Sequence, residues 1–138
     1  MAEPQNAQVL RDVFDAWNAH HVERLAKLLA PDTVWQSDAF PQPFHGHAGA
    51  RQFFQVYVGG FPDLHLDVEQ ILGEGDTVVA RWRSSGTHGG DLAGIKPTNR
   101  RSELNGCTVA EVKAGKVGRA WIYFDNATML RQLGVLPG

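Results

Sequence analysis

The feature that most restricts the fold of this chain is a change of hydrophobic period at Phe61-Pro62-Asp63. Before it, apolar residues recur at helical spacing. After it, they alternate as strands require. From Asn6 to His20, Val9, Leu10, Val13, Phe14 and Trp17 share one helical face, and Val22 to Leu29 repeats the pattern until Pro31. Thr33 to Ser37 reads as a short strand and Pro41-Gln42-Pro43 as a loop. Ala50 to Val58 is a third amphipathic helix that Gly59-Gly60 ends.

Beyond the switch, Leu64, Leu66 and Val68 alternate with His65, Asp67 and Glu69, and Gly73 to Asp76 turns the chain back. Thr77 to His88 forms the next strand. Its Arg81 and Arg83 cannot both enter an apolar core unpaired, so the face with Trp82 and His88 is expected inward. Gly89 to Asn99 is a loop and Arg100 to Val112 a strand. Ala114-Gly115-Lys116 leads into a strand from Arg119 to Asp125, and Asn126 to Leu133 closes as a helix with Gly134 beyond it. Four hairpin-connected strands after three helices, without a βαβ repeat, predict an α+β fold. In it a curved antiparallel sheet wrapped by three helices forms a cone around a pocket.

A chain of 138 residues fits one domain, 1–138, able to bury roughly two thirds of its unfolded surface. Thirteen basic against fifteen acidic residues, interspersed, give −2 and no basic patch, which argues against nucleic-acid or membrane partners. Cys107 is the only cysteine, and no secretory leader or apolar run of about 18 residues is evident, so a reducing cytoplasmic setting is expected. His45-Gly46-His47 lacks a fixed third ligand, and no metal or organic cofactor is expected. Serine-hydrolase elbows, phosphate loops and dinucleotide fingerprints are missing from the sequence.

The chemical hint lies in Trp121-Ile122-Tyr123-Phe124-Asp125. Alternation puts Trp121, Tyr123 and Asp125 on one face, and a carboxylate between aromatic rings would have a raised pKa and serve as a base. The same Asp precedes a helix, and from the local pattern alone an N-cap is the commoner role for Asp at that position. Both readings stand on the residues alone.

Four separated pieces then fall in a consistent order. They are Asp15-Ala16-Trp17-Asn18-Ala19-His20, Phe61-Pro62-Asp63-Leu64, Gly86-Thr87-His88-Gly89 with Gly94-Ile95-Lys96-Pro97-Thr98, and Trp121 to Asp125 with Leu130-Arg131-Gln132-Leu133-Gly134. With them the chain resembles the SnoaL-like polyketide cyclase (ester cyclase) family of the NTF2-like superfamily. The resemblance implies an intramolecular aldol closure of an aromatic or polyketide carbonyl compound without cofactor, with Asp125 as acid/base and His88 beside it. The walls would come from Phe14, Trp17, Trp35, Tyr57, Trp82, Trp121 and Tyr123. A non-catalytic small-molecule binder is the alternative, as is an isomerase, hydroxylase-like protein or epoxide hydrolase. For hydrolysis Glu111 is the one candidate second acid. A homodimer through the outer sheet face, carrying Arg81, Arg83, Ile122 and Phe124, is expected by the same resemblance. Where the family usually has Pro-Thr-Gly, this chain has Pro97-Thr98-Asn99, and Asn tolerates the left-handed conformation of such a turn.

Overall fold

The computed structural model describes residues 2–136, with side chains from residue 5 onward. In chain order the elements are α1 (Ala2–Asn18), α2 (Val22–Ala26), β1 (Leu29–Ser37), β2 (Phe44–His45) and α3 (Gly46–Gly60). There follow β3 (His65–Glu74), β4 (Thr77–Thr87), β5 (Arg101–Lys113), β6 (Lys116–Phe124) and α4 (Asn126–Gln132). The six strands form one sheet in the order β2-β1-β6-β5-β4-β3. The four hairpin-connected strands expected after Phe61 are all antiparallel neighbours. The α+β class and the helix-covered curved sheet are as read from the period switch.

Two details differ from the sequence reading. The second helix is a single turn, because Leu29 already leaves for β1, and the solvent-facing Pro31 lies where the β1 pairing slips. That strand also pairs in parallel with β6, so the sheet is mixed: its first strand is fed from the helices rather than from a hairpin. Thr33 secures this join by donating its hydroxyl to the Val117 carbonyl at 2.9 Å.

Leu10, Val13, Phe14, Ala16 and Trp17 bury one face of α1 against the sheet, while Phe53 and Phe54 of α3 pack from the other side. The end of α1 is bolted to the free edge of the sheet. Asn18 donates to the Leu66 carbonyl at 2.8 Å and accepts from the Leu66 amide at 2.7 Å, and His20 reaches the Leu64 carbonyl at 2.8 Å. An Asn side chain thus pairs with β3 as another strand would, satisfying groups an edge leaves open. No described helix is long and apolar enough to cross a membrane.

Candidate functional site

The helices and the concave sheet face enclose a cavity. Its walls include Phe14 and Trp17 of α1, Phe53 and Tyr57 of α3, Trp35 of β1, Trp82 of β4 and Phe124 of β6, with Met129 of α4. About 90 Å³ lies open to the centre of a water molecule. That is room for several waters at roughly 10–15 Å³ each. The polar side chains in the wall are hydroxyls and indoles: Ser84, Ser85, Ser102 and Thr108 beside Tyr57 and the tryptophans. Among the described lining residues there is no carboxylate and no imidazole. Tyr57 is the one side chain there that can ionise in water, and burial pushes its pKa above the ordinary tyrosine value, so its hydroxyl stays a neutral donor.

Trp82 shows how the wall is set. Its indole crosses to Gly106 on β5, where a Cβ would collide with the ring, and its Nε1–H donates to Thr108 Oγ1 at 2.9 Å. A glycine opposite a tryptophan lets the ring lie flat on the sheet. The Trp35 indole is buried in the same wall, and its Nε1 has no hydrogen-bond partner among the described residues.

Of the residues the sequence put forward, Phe14, Trp17, Trp35, Tyr57 and Trp82 meet around this cavity. The other four do not. Trp121 and Tyr123 lie on the convex side of β6, where they border a second cleft with Gln36, Asp38 and Pro41. Tyr123 is 45% exposed, and Ile122 and Phe124, expected outside, line the cavity instead. The expected place of Asp125 at the cavity is therefore corrected. It is exposed, and its carboxylate accepts the Thr128 amide at 3.0 Å as the N-cap of α4. That backbone bond chiefly holds its pKa below the ordinary carboxylate value, with lesser help from the Thr128 side chain and Arg131, opposite to the shift a base would need.

His88 is fully buried but is not among the lining residues. It fastens the following loop. Its Nδ1 accepts the Thr98 amide at 3.3 Å and lies 3.1 Å from Thr98 Oγ1, its backbone pairs with Asn99 and Arg100, and its ring packs on Phe61. Asn99 takes the left-handed conformation with φ of 60°. Glu111 pairs across from Arg119 on the convex side, so it supplies no second acid to the cavity. His47 bonds the Leu29 carbonyl at 2.9 Å, and no group of three or more His, Cys, Asp or Glu among the described residues is arranged for a metal.

The sequence reading missed Leu66, Leu104, Ile122, Phe124 and Met129, and the hydroxyls of Ser84, Ser102 and Thr108. One signal was present for β6. Arg119 shares the alternation of Trp121 and Tyr123, and the argument that sent Arg81 and Arg83 outward sends that whole face outward too.

Comparison with known proteins fits this architecture. The model of the SnoaL-like polyketide cyclase family matches residues 7–133. The chain belongs to this family. Among curated proteins none matches at a significant level. Solved structures that resemble it include IdmH, a candidate polyketide cyclase from Streptomyces antibioticus, at 31% identity and TM-score 0.81, covering 95% of this chain and 99% of that one. AclR, a candidate hydroxylase from Streptomyces galilaeus, has 27% identity and TM-score 0.84, covering 97% and 98%. A candidate ketosteroid isomerase from Kribbella flavida DSM 17836, at 24% identity and TM-score 0.69 over 90% and 80%, shares the fold.

Within this SnoaL-like chain the four sequence pieces that carry the resemblance are mostly fastenings. Asn18 binds the edge strand and Asp63 accepts the Thr87 amide at 2.7 Å. His88 ties the loop. Gln132 clasps the Glu103 backbone from both sides, accepting from its amide at 3.0 Å and donating to its carbonyl at 2.9 Å.

Proposed function

We propose that this cone holds an apolar, carbonyl-bearing compound of polyketide type and promotes its ring closure by confinement and hydrogen bonding, without a carboxylate base inside. The observation that carries this reading is the composition of the wall: aromatic and aliphatic side chains with scattered neutral donors. A carbon between two carbonyls reaches its enol form unaided. The enol carbon attacks a second carbonyl, a C–C bond forms, and the enol proton ends on the new alkoxide oxygen, so closure is an isomerisation that consumes no co-reactant. Holding both ends of the chain in one cavity supplies the orientation. The neutral Tyr57 hydroxyl donates to the oxygen on which charge develops.

The test is turnover of an aromatic β-keto ester with an internal ketone. Tyr57→Phe is expected to lower kcat on the order of 10²-fold, as loss of one such donor does, and Asp125→Asn to leave it unchanged. The reverse pattern would sink the proposal. The missing carboxylate and imidazole also favour a second reading, in which the same compound is bound and recovered unaltered from the wild-type protein. In either case the protein pairs with a second copy of itself through the convex sheet face, where Leu72, Val79, Val109 and Trp121 stand side by side on four successive strands. Leu72 is 60% exposed in the single chain.

A further inference from the structure

We infer that the Ser84 hydroxyl sets how a ligand lies in the cone. The oxygen-bearing end is held between Ser84 of β4 and Tyr57 of α3, and the hydrocarbon end points at Leu10 and Val117. This rests on the cavity-binding reading above and names the pattern it selects: two oxygens at one edge of an otherwise apolar frame, as in a 1,3-dicarbonyl compound.

Ser84 stands on the concave face of β4 between Trp82 and Gly86, and its ladder partners are Leu66 on one side and Leu104 on the other. All five residues line the cavity. None of the four neighbours offers a free polar side chain, since the Trp82 indole already donates to Thr108. The Ser84 oxygen makes no hydrogen bond among the described residues, and it is not sealed off either. The sealed and unpartnered side-chain atoms there are Trp35 Nε1 and His88 Nε2. A hydroxyl with apolar groups on all four sides takes its partner from the cavity. The Tyr57 hydroxyl is likewise open and unpartnered. Of the remaining wall hydroxyls, Ser102 donates to Gln132, Thr108 accepts from Trp82, and Ser85 shares the outward alternation of Arg81 and Arg83.

The two open hydroxyls mark one end of the cavity. Tyr57 packs on Phe124 at 5.9 Å, Phe124 pairs with Gly106, and Gly106 pairs with Trp82, two residues from Ser84. The other end of β6 is Val117, paired with Val112 beside the turn between β3 and β4. Asn6 reaches that turn and Asn18 reaches Leu66, so α1 carries Leu10 towards the Val117 end. Both open groups are neutral hydroxyls, able to donate and accept, so they suit a keto oxygen and an enol hydroxyl alike. With no cation in the described lining, an anionic ligand end would be desolvated uncompensated.

The experiment compares 2-acetyl-1-tetralone with tetralin, the same bicyclic frame with and without the dicarbonyl edge, by NMR titration of the whole protein. Ser84→Ala should weaken the dicarbonyl about tenfold, the size of one hydrogen bond, and tetralin less than twofold. In the wild type the aromatic protons of the dicarbonyl should show nuclear Overhauser contacts to the Leu10 and Val117 methyl groups, and its acetyl methyl to Ser84 and Tyr57. That second readout survives if the variant does not fold. Unchanged binding in Ser84→Ala, equal weakening of both probes, or the reversed contact pattern overturns the assignment. If tetralin binds and the dicarbonyl does not, this inference falls alone; if neither binds the wild-type protein, the cavity-binding reading falls and takes this one with it.

Discussion

The two faces of β6 differ more than their sequence suggests. Ala120, Ile122 and Phe124 point into the cone, whereas Arg119, Trp121 and Tyr123 point out, and each set holds aromatic residues one position away from the other. Identical side-chain classes thus meet opposite environments, and the difference is made by what shares their alternation. A guanidinium on one face decides it for the whole strand. The lesson extends to Asp125, which follows the outward set onto the surface and caps a helix there.

The contrast is broken most sharply by placing a charge on each face. Ile122→Asp buries a carboxylate without a partner and should cost about 3–5 kcal/mol, enough to unfold much of a typical domain in a urea titration. Tyr123→Asp should change stability by only about 0.5 kcal/mol while shifting the proposed dimer towards monomer in light scattering. Equal unfolding by both would show that the faces are wrongly assigned.

A subtler probe of the inner face is Gly106→Val, which forces the Trp82 ring off the sheet. Overpacking of this kind costs about 1–3 kcal/mol. Near-ultraviolet circular dichroism should register the displaced indole, and ligand affinity should fall because the ring then stands in the cavity.

The smallest effect belongs to the outer carboxylates. Asp63 and Asp125 both have pKa values lowered chiefly by backbone amides, of Thr87 and Thr128. Lowered folded pKa values mean that the unfolded chain binds more protons. Their stabilisation is therefore present above the ordinary Asp value near 3.9 and lost as pH falls through the depressed folded values. Melting temperature should drop below about pH 4, less steeply in Asp125→Asn, whose activity at pH 7 is expected to match the wild type.

Most of the scaffold was legible because its signals are local. The period switch at Phe61 marks the passage from the third helix to the four consecutive antiparallel strands, and Asn99 takes the conformation its side chain tolerates. The parallel join of β1 to β6 was not legible, since it depends on where the helices deliver the chain rather than on any residue pattern. The aromatic walls from α1, β1, α3 and β4 could be read from amphipathic spacing. The face of β6 does not follow from the size of Trp121 and Tyr123, because Arg119 shares their alternation and turns that face outward. The family resemblance carries its own lesson: Asn18, Asp63, His88 and Gln132 each secure a joint of the frame, so matching them identifies the frame and says little about the contents of the cone.

The joint at His88 has an evolutionary side. Its backbone pairing with Arg100 and Asn99, together with the ring bond to Thr98, closes the segment that follows into a loop with a fixed neck. Whatever happens to the length of that loop, the strands on either side start from the same two points. Doubling such an excursion costs only about 0.6 kcal/mol of closure entropy. A lineage can therefore change the length of this loop without moving the two strand ends that it joins.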